Sequence, residues 1–176
     1  SCLVGSEMCI RDRISFDATS FFNINLPRTR RRGITTALDF DVSRNVTAGV
    51  SYAYVDSEIS SGPFRGNEVP LVPAQRATAY VSYQPSARWQ TRLDVQHVDE
   101  QFLGGDFDNS SAPLDAYSVV NLVANYVIDQ WRLTAKINNL LDERYSETGA
   151  SGFAGDGFNP APERNFWLGL SYTYKD

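Results

Sequence analysis

His97 is the only histidine in the chain. A lone imidazole without cysteine or carboxylate at ligand spacing makes neither a metal centre nor an oriented general base. Its place near a strand end suits a solvent-facing or hydrogen-bonded role. Asp106-x-Asp108-x-Ser110 clusters the oxygens that a hard cation such as calcium wants. The rest of that pattern fails, because the sixth position is Ser111 rather than Gly and the twelfth is Tyr117 rather than Glu. The segment therefore reads as an acidic, solvated loop. Arg28, Arg30, Arg31 and Arg32 follow Pro27. Guanidinium forks match phosphate geometry, so this run either meets an anion or is a solvated turn. Gly149, Gly152, Gly155 and Gly157 suit a flexible loop and not a phosphate cradle. No Ser-His-Asp set or Cys-His pair stands out, so no catalytic, cofactor-binding or metal residue is assigned and no enzyme activity is expected.

The elements that would position such residues are strands. Of 176 residues, 12% are aromatic, which leans toward β structure, and the net charge of −5 argues against a nucleic-acid partner. No apolar run reaches the roughly 18 residues of a membrane-spanning helix, a test to which a barrel is blind. Ser1 to Arg13 lacks the layout of a signal peptide and reads as a non-native segment, like translated sequencing adapter. It contains both cysteines, Cys2 and Cys9, so the remainder, residues 14–176, carries no disulfide argument.

From Ile14 onward period-2 alternation predicts eight strands. The first covers Ile14 to Asn25, with Phe16, Ala18, Phe22 and Ile24 on one side. The second covers Gly33 to Val42, and the third runs from Val46 through Tyr54. The fourth carries Ala77 to Tyr83 and the fifth Trp89 to Val95. The sixth carries Val120 to Tyr126, the seventh Trp131 to Ile137 and the eighth Phe166 to Tyr174. Asp17, Asp39, Asp41, Arg92, Asp94, Arg132 and Lys136 all fall on the parity opposite the apolar residues. Such a sheet has lipid on one face and water on the other, because Arg or Lys facing mid-bilayer costs about 2–4 kcal/mol.

Connections alternate in length. Short turns lie near residues 44, 86 and 129, and long loops near 65, 108 and 150. Outer-membrane barrels have short periplasmic turns and long extracellular loops. Tyr83, Trp89, Tyr126, Trp131, Tyr172 and Tyr174 share the apolar parity at the short-turn ends, where they would form an aromatic girdle.

Four segments carry a family resemblance. Asn139-Leu140-Leu141-Asp142-Glu143-Arg144-Tyr145 resembles the N-L-x-D-x-x-Y motif near the C-terminus of TonB-dependent outer-membrane receptors. Pro70 to Arg76 is similar to the family's P-x-x-P strand entry, and Pro162-Glu163-Arg164 to its P-x-R entry to the last strand. Gly169, Tyr172 and Tyr174 resemble the C-terminal signal read by the barrel-assembly machinery. The chain departs at Glu163, where the family commonly has Gly, at Thr35 and Thr36, where a Glu is frequent, and in ending Lys175-Asp176.

The resemblance implies an all-β, antiparallel transmembrane barrel, of which this chain would supply about the last eight of 22 strands, as an open curved sheet when taken alone. Asn139, Leu140, Asp142, Tyr145, Pro162 and Arg164 would then be structural motif residues. It further implies import of a scarce ligand, a ferric siderophore or similar chelate. The TonB-ExbB-ExbD system would supply the energy through an N-terminal part beyond this chain, in the outer membrane of a Gram-negative bacterium. Lipopolysaccharide and outer-membrane lipid would be further partners, with Arg28 to Arg32 near the lipopolysaccharide phosphates. Loop residues Phe64, Arg65, Phe107 and Phe153 could touch ligand, but none is singled out. A small eight-stranded structural or adhesive barrel is the alternative, because an even number of strands can close.

Overall fold

The structure, a computed structural model, describes residues 28–153 and 155–174, together with the backbone of three N-terminal strands. These are β1 (Cys2–Ile10), β2 (Arg13–Asp17) and β3 (Phe22–Leu26). They are followed by β4 (Thr29–Ser43), β5 (Val46–Ile59), β6 (Gln75–Ser86), β7 (Trp89–Val98), β8 (Tyr117–Ile128) and β9 (Trp131–Asn138). Then come β10 (Ser146–Ala150), β11 (Gly157–Pro160) and β12 (Asn165–Tyr172). Eight strands form one sheet in the order β1-β4-β5-β6-β7-β8-β9-β12, and every neighbouring pair is antiparallel. β1 and β12 are not joined, so the sheet is open.

The expected first strand is corrected. Ile14 to Asn25 is not one wall strand. It folds as the β2/β3 hairpin, in which Asp17 pairs with Phe22, and this hairpin forms a separate two-stranded sheet. Asp17 therefore lies outside the wall, and Ala18 lies outside the described residues. The wall position beside β4 is taken by the backbone of Cys2–Ile10 instead, in register from Cys2↔Ala37 to Ile10↔Thr29. The segment lacks period-2 alternation, so it pairs through main-chain hydrogen bonds, which any sequence can supply. The basic run also differs from expectation: Thr29 to Arg32 opens β4 rather than forming a turn.

Residues directly opposite in adjacent strands share a face, so the register sorts the side chains. One row runs Phe40, Ala48, Val81, Leu93, Leu122, Ile137 and Phe166 across seven strands. The row one residue along, on the other face, runs Asp39, Gly49, Tyr80, Asp94 and Asn121. The apolar face is bare: Phe40 is 53% exposed, Leu168 72% and Leu170 65%. A soluble sheet would cover such a surface. Tyr83, Trp89, Tyr126, Trp131 and Tyr172 lie on this face, with Trp89 against Tyr126 at 5.6 Å and Trp131 against Tyr172 at 4.8 Å between ring centroids, and Tyr174 follows the end of β12.

Short turns join β4 to β5, β6 to β7 and β8 to β9. In the last of these Asp129 adopts φ 51°, the left-handed region that tight hairpins require. The long connections leave from the opposite edge of the sheet, at residues 60–74, 99–116 and 139–164. The third carries the β10/β11 hairpin, an element the sequence pattern did not announce.

Candidate functional site

Most of the buried apolar side chains lie in the long loops and at the strand ends beneath them, with Ala48 and Val119 the buried apolar residues within the wall among the described residues. Ile59, Val69 and Phe107 form a core cluster, with Phe64 and Val72 packed against it. The Phe64 and Phe107 rings are 5.9 Å apart. Leu103 is fully buried and Val98 and Leu114 nearly so. Main-chain bonds knit the loops together. Leu71 N–H donates to Phe102 O at 2.9 Å, Gly104 N–H to Gly149 O at 2.9 Å and Ser151 N–H to Gly104 O at 2.9 Å. Asn109 clips the first loop to the second, its Oδ1 accepting from Glu68 N–H at 2.8 Å and its Nδ2 donating to Glu68 O at 3.3 Å. Two loops with a shared core, and a third tied to them by main-chain bonds, have less freedom than three separate strings.

The Asp106 carboxylate is buried and organises its own loop. It accepts from Ser110 N–H at 3.0 Å and Ser111 N–H at 3.2 Å. Burial raises its pKa above the usual aspartate value, against the lowering effect of those two amides. Its hydrogen bond to Asp108 holds Asp108 below that value. These contacts are internal to the loop, and no group of three or more His, Cys, Asp or Glu suited to a metal occurs among the described residues.

The N-L-x-D-x-x-Y segment forms the base of the third loop. Asn139 and Asp142 both sit in the left-handed region, at φ 52° and 61°, where Asn and Asp are the best tolerated non-glycine residues. Buried Asn139 donates from Nδ2 to Glu143 O at 2.8 Å and Pro162 O at 3.3 Å, and its Oδ1 accepts from Glu143 N–H at 2.9 Å. Its own N–H donates to Asn121 Oδ1 at 3.0 Å. Leu140 N–H donates to Val120 O at 2.7 Å. Asp142 Oδ1 accepts from Arg164 N–H at 2.8 Å, and the Arg164 guanidinium lies 3.6 Å from Asp142 Oδ2. Both ends of the loop are thus tied at one point by the motif's polar residues. Tyr145 stacks on Tyr117 at 4.1 Å, 25° from parallel. Burial raises the Tyr145 pKa, with Glu147 adding to the effect.

Two clefts share Tyr145. The first, about 570 Å³, lies between residues 112–116 of the second loop and residues 143–146 and 156–160 of the third, and includes Asp115, Glu143, Arg144 and Asp156. The second, about 380 Å³, is floored by Gln96, Asn121 and Asn138 and bounded by the Tyr117–Tyr145 stack. The wall residues that floor it lie on the polar face.

The remaining candidates are dispersed. Arg30 pairs with Glu58 at 2.7 Å. His97 Nδ1 meets Ser118 Oγ at 2.9 Å on the apolar-parity face, level with Ala77 and Tyr52. Phe107 belongs to the loop core and Phe64 packs on it, whereas Phe153 is 86% exposed and Arg65 exposed. On the polar face Arg92 lies 3.8 Å over the Tyr80 ring and pairs with Asp94 at 2.8 Å. Sequence reasoning missed the second cleft, because its residues come from four wall strands and one loop with no motif in common apart from Asn139, Tyr145 and Pro162.

With this geometry in hand, comparison with known proteins gives a consistent result. The chain is 29% identical over 131 residues to the metal-pseudopaline receptor CntO of Pseudomonas aeruginosa, covering 70% of this chain and 18% of that protein. It is 25% identical over 177 residues to the probable TonB-dependent siderophore receptor PiuA of Acinetobacter baumannii, covering 92% and 23% respectively. The chain thus spans about a fifth of the length of these relatives. Its fold matches the crystal structure of PiuA from Acinetobacter baumannii with a TM-score of 0.75 at 21% identity, covering 98% of this chain and 26% of that one. It matches the copper transporter OprC with a TM-score of 0.78 at 20% identity, covering 98% and 28%. Relatives of this kind are Gram-negative outer-membrane β-barrel proteins, and the bare apolar face is accordingly the lipid face. The sequence model described as TonB dependent receptor-like, beta-barrel matches residues 8–140, and the chain belongs to that family of outer-membrane receptors, as a C-terminal part of the barrel.

Proposed function

We propose that the chain is the C-terminal wall of an active-transport receptor that imports a scarce ligand, a ferric siderophore or similar chelate, with energy delivered through TonB. The observation that carries this reading is the joint arrangement of a one-sided apolar sheet and a solid three-loop cap on one edge of it. Loops that share a core form a preorganised wall for a ligand at the mouth. The open sheet supports a larger barrel over a self-contained eight-stranded one, because β1 and β12 do not pair. The TonB-ExbB-ExbD system would act through an N-terminal part beyond this chain. Gly169, Tyr172 and Tyr174 are proposed as the signal for the barrel-assembly machinery, and Asn139, Leu140, Asp142, Tyr145, Pro162 and Arg164 as the structural motif. Arg28 to Arg32 would lie toward lipopolysaccharide phosphate. Residues 1–13 are proposed to be non-native, with the native barrel beginning at or before Ile14.

The test is uptake. The source locus is sequenced upstream of the Ile14 codon, and the complete gene is expressed in an iron-starved host with and without functional TonB. Uptake of labelled iron chelates that requires both the gene and TonB is the expected result. A signal peptide joined directly to Ile14, or uptake indifferent to TonB, would remove the transporter reading.

A further inference from the structure

The cleft beneath Tyr145 is lined mainly by carboxamides and phenols. Five of its ten lining residues are carboxamides and two are tyrosines; its one charged residue is the carboxylate Glu147, and none is lysine or arginine. Its hydrogen-bonding capacity is only partly used. Asn138 Nδ2 donates to Asn165 Oδ1 at 2.8 Å, and Asn139 is committed to the loop base. The Gln96 amide and the hydroxyls of Tyr117 and Tyr145 have no hydrogen-bond partner among the described residues. Carboxamides and phenols both donate and accept without carrying charge, so the cleft matches alternating hydroxyl and carbonyl groups. It has no cation with which to hold a carboxylate or catecholate cluster. Its position is the loop-side end of the wall, between the Tyr117–Tyr145 stack and the strand ends, and Tyr145 also borders the first cleft.

The surrounding loops reinforce the same selection. The second loop (99–116) has five carboxylates and no lysine or arginine. The third (139–164) has five carboxylates against two arginines, and the first (60–74) has one charge of each sign, giving a net −8. The third-loop arginines are already paired, Arg144 with Glu163 at 3.3 Å and Arg164 with Asp142 at 3.6 Å. A polyanionic chelate approaching within a Debye length, about 8 Å at physiological salt, is repelled, and a neutral or cationic one is not.

We infer that this cleft is a subsite for a neutral, hydroxyl- and amide-bearing part of the imported ligand, and that the cargo is an uncharged or cationic chelate rather than a polyanionic one. The inference rests on the receptor reading above. Gln96 and the Tyr117 hydroxyl contact the ligand, and the tyrosine stack forms one wall of its seat.

The experiment uses the complete receptor that carries this chain, purified in detergent. Equilibrium binding of a neutral ferric trihydroxamate and of a trianionic ferric tricatecholate is measured at low and high salt, for wild type, Gln96→Ala and Tyr117→Phe. Tyr117→Phe keeps the ring stack and removes only the hydroxyl, so it tests contact without disturbing the fold. The expected result is at least about tenfold tighter binding of the trihydroxamate, a gap that narrows with salt. Each substitution weakens trihydroxamate binding about three- to tenfold, the effect of one lost hydrogen bond. Equal or tighter binding of the tricatecholate would overturn the inference and leave the receptor reading standing. So would unchanged affinity in both variants, above all with lowered thermal stability, which would mean that another segment of the receptor fills the cleft. Binding of neither chelate would overturn the inference, while the TonB-dependent uptake test decides the receptor reading separately.

Discussion

Tyr80 on β6 donates its hydroxyl to Asp39 Oδ1 on β4 at 2.6 Å, crossing β5 to do so. The crossing is possible because the strand between presents Gly49, which faces Asp39 and Tyr80 directly in register. A Cβ at Gly49 would collide with Asp39 Oδ1 and the Tyr80 ring. The glycine is thus set by side-chain traffic over the sheet rather than by backbone conformation. Gly49→Val should block the crossing and lower the yield of folded, heat-modifiable receptor on gels. Tyr80→Phe, which deletes the bond but keeps the ring under Arg92, should have a smaller effect. Equal behaviour of both variants and wild type would show that the crossing is unimportant to assembly.

Asn139 holds the third loop through three side-chain bonds while its backbone sits at φ 52°. Asn139→Ala loses the bonds, strands the Glu143 N–H and keeps the awkward φ, so it should cost about 2 kcal/mol. Hydrogen exchange should rise across residues 139–164 and stay unchanged in β4 to β7. A uniform rise over the whole wall would contradict a local role for the motif.

Phe107→Ala should leave a cavity among Ile59, Val69 and Phe64 and cost about 3–5 kcal/mol of loop stability. Limited proteolysis should then cut both the first and the second loop, although only the second carries the substitution. Cleavage confined to residues 99–116 would mean that the loops do not share a core.

The Asp106–Asp108 pair gives the cap a pH dependence whose sign follows from the two shifts. Folded Asp106 keeps its proton to a higher pH than an unfolded aspartate, so its contribution is greatest below the usual aspartate range and falls as pH rises through its raised value. Asp108 is the reverse: its contribution is present above that range and is lost as pH falls through its lowered value. Exchange protection of residues 102–114 should therefore pass through a maximum in mild acid. Asp106→Asn should remove the alkaline limb and spare the acid one, and a flat profile in wild type would refute the assignment.

The wall was legible in the sequence because a strand with lipid on one side and water on the other alternates at every step, as from Leu38 to Val42 and from Trp89 to Gln96. Asn139 and Asp142 stood out through a motif, and both adopt the left-handed backbone that Asn and Asp tolerate best among non-glycine residues. The split of Ile14 to Asn25 into two paired strands was not legible, because Phe16 and Phe22 share one parity in the sequence. The loop core was equally hidden: Ile59, Val69 and Phe107 obey no period and meet only when two loops fold together. Parity also has exceptions. Trp167 and Val123 share the polar-face row with Lys136, and the Lys136 ammonium lies 5.0 Å from the Trp167 ring.

The shared core of the loops also decides how the surface is seen by other molecules. The exposed outline of the second loop exists only while Val69 and Ile59 support Phe107 from the neighbouring loop and strand end. A synthetic peptide copied from residues 99–116 carries none of that support, and antibodies raised against it would recognise a shape the folded protein does not display. An immunogen for this face has to present at least two loops on their strands, because the epitope is a property of the assembly and not of any one stretch of sequence.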